Sequence, residues 1–180
     1  QILEQARTKL LQQRATRGRP NCDDKILTSW NALMIKGMAT AAFIFDDDRY
    51  LDSAEKALEF IRQNLYLYGK LLATYRNGKA HLNAYLDDYA FLIDAILAFL
   101  QCHWDPKWLD MAIQLADELQ DSFEDKERGG FFFTSHDHEK LIQRSKSFMD
   151  DALPSGNGVA ASVLGKLGHL LGDSRYLQTS

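Results

Sequence analysis

The 180-residue chain is 46% hydrophobic and 26% charged, a balance that marks a globular domain with a real core and argues against disorder. Its formal net charge of -4, with Lys and Arg scattered along the chain, offers no basic field for nucleic acid or an anionic membrane. Cys22 and Cys102 are far apart and show no CxxC or Cys/His spacing, which argues against a disulfide framework or a zinc knuckle and reads as two reduced thiols of a cytoplasmic protein.

In chain order, residues 2–15 read as a polar-rich amphipathic helix with Ile2, Leu3, Ala6, Leu10 and Leu11 on one side, ending in the Gly/Pro-containing loop Arg14 to Pro20. Thr28 or Ser29 is placed to cap a helix from Trp30 to about Phe45 that is apolar nearly all round, so burial on every face is expected. The next segment, Leu51 to Arg62, is apolar at 51, 54, 57, 58 and 61 with charges between, the pattern of a surface helix. The contrast returns twice. Tyr89 to Leu100 is apolar and Trp108 to Phe123 amphipathic, and a third apolar run opens at Val159 and reaches Leu171. Each inner helix is thus followed by an outer one.

Between these pairs lie two predicted β-hairpins, Leu71 to Leu82 around Asn77-Gly78, and Gly129 to Gln143 with Phe131, Phe132 and Phe133 before a polar turn. The repeat is in register. Asp47-Asp48-Arg49-Tyr50-Leu51, Asp105-Pro106-Lys107-Trp108-Leu109 and Asp173-Ser174-Arg175-Tyr176-Leu177 follow the three apolar runs, and the runs open with Ser29-Trp30-Asn31, Asp87-Asp88-Tyr89 and Ser155-Gly156-Asn157. Nineteen residues separate Asn31 from Tyr50, Tyr89 from Trp108 and Asn157 from Tyr176, so the copies align without a gap. Repeats of about 28–66, 86–123 and 154–180, the last cut short, predict an all-α array of helical hairpins with small β-hairpins in its loops. The chain reads as part of one domain of a longer polypeptide.

If three inner helices start at one end, their unpaired N–H groups and positive dipole ends share a mouth with Asn31, Asp87, Asp88, Tyr89, Ser155 and Asn157, which suits a hydroxyl-rich ligand. Ser29, Asp87 and Ser155 are also ordinary helix caps. Carboxylates are the first chemical candidates, because glycoside chemistry uses an acid and a base, and sugar isomerisation needs a base beside an acidified C–H. Adjacent aspartates at a helix start cannot both face a cavity, and Asp24, Asp88 and Asp150 are the members chosen here, with Asp88 the principal acid or base. His81 lies in the hairpin before the second inner helix and faces the same mouth, while His103 and His169 fall at the far end. His136-Asp137-His138 has a metal-compatible spacing but no third ligand. Trp30, Tyr75, Tyr85 and Tyr89 are candidates to stack on sugar rings, against the commoner role of core packing.

The motifs Arg19 to Asn31, Tyr85-Leu86-Asp87-Asp88-Tyr89-Ala90 and Asp150 to Asn157, with Gly129-Gly130-Phe131-Phe132 between them, resemble the thioredoxin-domain-containing family of spermatogenesis-associated protein 20 and its bacterial relatives. The departures are Ala32, where the family tends to have Gly, and Asp151 and Gly158 around Pro-Ser-Gly-Asn. The resemblance implies an (α/α) toroid similar to six-hairpin glycosidases and to the N-acylglucosamine 2-epimerase and cellobiose epimerase group. It further implies a thioredoxin-like domain elsewhere in the same polypeptide. The expected function is a carbohydrate-acting toroid, either a glycosidase-like hydrolase or a sugar epimerase. Its expected ligand is a sugar or polyol, held by Trp30, Asn31, Asp87, Tyr89, Ser155, Asn157 and His81, with no cofactor or metal required. The alternative is a non-catalytic helical scaffold or protein-interaction domain beside the thioredoxin-like domain. No apolar run reaches the length of a membrane span.

Overall fold

The computed structural model describes residues 2–139 and 142–179. Seven helices and four short strands follow in order: α1 Ile2–Ala15, β1 Ile26–Leu27, α2 Thr28–Phe45, α3 Asp48–Asn64, β2 Tyr66–Leu67, β3 Lys70–Arg76, β4 Lys79–Asn83, α4 Leu86–Cys102, α5 Pro106–Phe123, α6 Gly156–Leu171 and α7 Ser174–Thr179. The inner layer is α2, α4 and α6, with α4 in the middle, and α3, α5 and α7 pack on α2, α4 and α6 respectively. α1 buries none of its residues.

The repeated phrase is helix-capping chemistry. Asp47, Asp105 and Asp173 precede α3, α5 and α7, and each carboxylate accepts from the backbone N–H two residues on, at Arg49, Lys107 and Arg175. The aromatic one place further is wholly buried in the second and third copies, as Trp108 and Tyr176, while Tyr50 is 39% exposed. Tyr176 Oη donates to Asp117 on α5, tying adjacent outer helices together. The amphipathic reading of α3 also matches the structure, since Ala54, Leu58 and Ile61 are its buried residues.

Two expectations need correction. α4 is buried over nearly all its length, but α2 is not: Trp30, Met34, Phe43, Ile44 and Phe45 are all exposed. The apolar residues of α2 are there, but no described element covers that side of the helix. The hairpin at 71–82 forms as β3 and β4, with Asn77 and Gly78 both at positive φ, the geometry that lets a two-residue turn follow the strand twist. The one expected at 129–143 does not form. Among the described residues, Phe131 makes a single bridge to Glu124, the Phe132 N–H goes to Phe123 and the Phe133 N–H to Ser145. Those donors bind elsewhere, so no ladder is left to make; Lys140 and Leu141 lie outside the described residues.

Candidate functional site

The N-termini of α2, α4 and α6 share one end of the inner layer, and Asp88 joins the first two. Its Oδ1 accepts from the Ser29 N–H at 2.8 Å and its Oδ2 from the Tyr85 N–H at 2.9 Å, so one carboxylate caps its own helix and a neighbour 59 residues away. Thr28 and Ser29 therefore do not cap α2 with their own side chains; Thr28 Oγ1 donates instead to the Leu72 carbonyl. Burial pushes Asp88 up to about 6, although the two backbone N–H groups pull the other way. Both of its oxygens are occupied.

Asp87 is placed differently. It is half-buried and has no hydrogen-bond or ion-pair partner among the described residues, and burial raises its pKa above the ordinary carboxylate value. It lies on two cavities. One, of about 310 Å³, is also lined by Ser147, Asp151, Leu153, Ser155 and Asn157; the other, of about 140 Å³, by Ser29, Thr74, Tyr85 and Asp88. Gly156, the first residue of α6, makes the room: a Cβ there would overlap Asp87 Oδ1 and press on Leu86. The glycine is needed for close approach, and the group approaching is a side chain of the neighbouring inner helix.

The third cluster holds a loop. Asn157 is 5% exposed and accepts from the Phe131 N–H at 2.6 Å, while its Nδ2 donates to the carbonyls of Phe131 at 2.9 Å and Ser147 at 3.0 Å. Ser155 Oγ also donates to Ser147, and Asp150 Oδ1 accepts from the Ser155 N–H at 2.8 Å. Asn157, Ser155 and Asp150 thus hold Phe131 and Ser147 over the head of α6. Phe133 of this segment stacks on Tyr85 at 4.9 Å, bracing the start of α4 as well.

The mouth accordingly brings together Asp87, Asp88, Ser155 and Asn157, but not every predicted member. Asp24 is paired with Arg76 at 2.6 Å beside β3. Asn31 Nδ2 donates to the Leu27 carbonyl, closing the first turn of α2. Tyr89 is buried, accepts from the Leu71 N–H and packs against Phe123. Trp30 is exposed on the open side of α2, and His81 is exposed on β4; neither lines either cavity. Asp151 and Phe133, both on the larger cavity, were not chosen from sequence, although Asp151 is the second member of a pair already singled out. Within both pairs, 87–88 and 150–151, the chosen aspartate accepts from a backbone N–H at the start of an inner helix, and its neighbour lines the larger cavity. Among the described residues no group of three His, Cys, Asp or Glu side chains is placed to hold a metal.

No protein-family model matches the chain. Its fold is that of part of an α/α toroid. It is similar to cellobiose 2-epimerase from Spirochaeta thermophila, with a TM-score of 0.70 and 16% identity over 89% of this chain and 42% of that one. It is also similar to an α-1,6-mannanase of Salegentibacter sp., seen as an inactive variant with two consecutive aspartates replaced by asparagine and in complex with α-1,6-mannotriose. There the TM-score is 0.66 and the identity 15%, over 86% of this chain and 44% of that one. In sequence the chain is homologous to spermatogenesis-associated protein 20 of Homo sapiens, 29% identical over 98% of this chain and 24% of the relative. An uncharacterized protein of Caenorhabditis elegans is likewise 29% identical, over 97% of this chain and 25% of the relative. The chain thus spans about a quarter of the length of the curated relatives it matches. No described helix is long and apolar enough to cross a membrane.

Two outcomes follow from the geometry around Asp87 and Asp88. Because Asp88 titrates near 6 in the fold and near 3.8 when unfolded, the folded state binds the proton more tightly. The stability it confers is therefore full below pH 3.8 and is lost as pH rises through 6, by about 3 kcal/mol. Asp88→Asn cannot titrate and turns an NH2 group against a backbone N–H, at a cost of about 1–3 kcal/mol. Its deficit relative to wild type should be largest at pH 4 and narrow as pH rises to 8. Urea unfolding at the two pH values measures this, and a deficit independent of pH would contradict it.

Gly156→Ala should leave α6 intact and push the Asp87 carboxylate towards water. In a ¹³C-detected titration the Asp87 carboxyl should then titrate at lower pH than in wild type. An unchanged titration would show that Gly156 does not set its position.

Proposed function

We propose that the head of the inner helices is a saccharide site and that Asp87 is its acid. The observation that carries this reading is a half-buried carboxylate, unpartnered among the described residues, lying on two cavities where three helices begin. Burial holds the proton on Asp87 to higher pH than on an exposed aspartate, which is what a general acid needs to protonate a departing sugar oxygen. Asp151 lines the same cavity with its side chain unpaired among the described residues, and would serve as the base that activates water on the opposite side. Asp88 acts through its neighbour, fixing the first turn from which Asp87 projects.

The similar folds support the same class of ligand. The mannanase holds a mannose trisaccharide and is inactive when two consecutive aspartates are changed; Asp87 and Asp88 are such a pair, at the head of the most buried inner helix. The cellobiose epimerase also takes its name from a sugar. The reading includes a thioredoxin-like domain elsewhere in the polypeptide and a cytoplasmic location, the latter supported by two free thiols, Cys22 and Cys102.

The test is incubation of the full-length protein with α-1,6-mannotriose and with cellobiose, followed by proton NMR of the anomeric region. New anomeric signals, or selective broadening of the sugar resonances, are expected for one of the two. Spectra unchanged with both would overturn the saccharide reading.

A further inference from the structure

The inner layer has an open side. α4 is covered by α2, α5 and α6, whereas Trp30, Met34, Ile44 and Phe45 make an exposed stripe along α2, and α6 leaves Leu170 and Leu171 exposed. Midway along the layer is a charge cluster that links all three helices. Asp94 of α4, 7% exposed, receives Lys36 of α2 on Oδ2 at 2.5 Å and Lys166 of α6 on Oδ1 at 2.9 Å. The side chains of the two lysines are 46% and 52% exposed, so they lie at the surface while Asp94 is sunk beneath them.

The cluster is unbalanced, with two ammonium groups to one carboxylate. Each lysine spends one N–H on Asp94 among the described residues, which leaves four of their donors without a partner there. Any element that packs over Lys36 and Lys166 would bury their ammonium groups, and a buried positive charge is tolerated only when it is paired. A carboxylate, with two oxygens and about four lone-pair positions, matches the unused donors and brings the cluster to neutrality.

We propose that the open side is covered by further helices of a longer polypeptide containing this chain, and that one of them presents an Asp or Glu side chain to Lys36 and Lys166. Two observations favour that occupant over a second copy of the chain. The toroids it resembles have their shared fold over only 42–44% of their own length, so more helical material than this belongs to such a domain. A second copy would set a net-positive cluster against its own image, a like-charge contact that opposes association.

Carbodiimide cross-linking of the full-length protein tests the assignment, because it forms an amide only between an amine and a carboxylate already in contact. Peptide mass spectrometry should find Lys36 or Lys166 joined to an acidic residue outside residues 1–180 of the same polypeptide. Acetylation of both lysines should be slowed about tenfold or more relative to the exposed Lys126. Links between two copies, detected in a mixture of light and ¹⁵N-labelled protein, would overturn the proposal. So would links to Asp94 alone, or lysines as reactive as Lys126. Lys166→Glu supplies a second readout: it should lower the Tm of the full-length protein more than Lys166→Met, because it faces the incoming carboxylate with a like charge. Equal shifts would count against a carboxylate at that position.

Discussion

If Asp87 is the acid of a saccharide site as proposed, Asp87→Asn in the full-length protein should reduce sugar turnover by about 10²–10⁴-fold, the range for loss of a general acid, while leaving Tm within about a degree of wild type. The split follows from where the side chain sits. Asp87 makes no hydrogen bond or ion pair among the described residues, so an amide of the same size removes the transferable proton and little else. Asp88→Asn should behave in the opposite way, with the main loss in stability, because both of its oxygens are used by the backbone of two helices. Parallel measurement of kcat and Tm in the two variants separates the roles. Turnover that survives in Asp87→Asn and vanishes in Asp88→Asn would return the acid to Asp88.

The largest loss of stability is expected at Asn157. Its amide satisfies the N–H and C=O of Phe131 and the C=O of Ser147, all from one buried position. Truncation to Ala strands the Phe131 N–H and C=O at about 1–3 kcal/mol each, while the Ser147 carbonyl keeps Ser155 Oγ, so about 2–5 kcal/mol is lost in all. In a domain of this size that corresponds to a fall in Tm of about 4–20 °C. Phe131 and Ser147 would lose their anchor, and with it part of the wall of the larger cavity, so saccharide binding should fall as well. Thermal unfolding followed by circular dichroism reads the first effect. A shift of a degree or less would mean that Ser155 and Asp150 hold the loop unaided.

How much of this was legible in sequence depends on how far apart the interacting groups lie. The outer helices were readable because their signals are local: Asp47, Asp105 and Asp173 each cap a backbone N–H two residues on. The turn at Asn77-Gly78 was readable for the same reason. The facing of the paired aspartates was not, since it is fixed by the Ser29 N–H, which reaches Asp88 from another helix. Asn157 likewise finds its partners 26 and 10 residues away, in a segment whose three phenylalanines suggest a strand, but whose N–H groups are drawn to Asn157, Phe123 and Ser145. The apolar circumference of α2 implied burial, but only its inward half has a described neighbour. The array of inner and outer helical hairpins was legible from its gapless repeat, which leaves few other ways to bury Tyr89 to Leu100, whereas the toroid itself was implied by the family resemblance.

The most direct measurement is a crystal structure of the full-length Asp87→Asn variant, disabled for turnover, soaked separately with α-1,6-mannotriose and with cellobiose. Saccharide density is expected in the cavity between the heads of α4 and α6, with a glycosidic or hydroxyl oxygen within hydrogen-bonding distance of the substituted side chain and Asp151 on the far side of the ring. Saccharide bound elsewhere, or a mouth filled by protein side chains with no sugar at either soak, would contradict it.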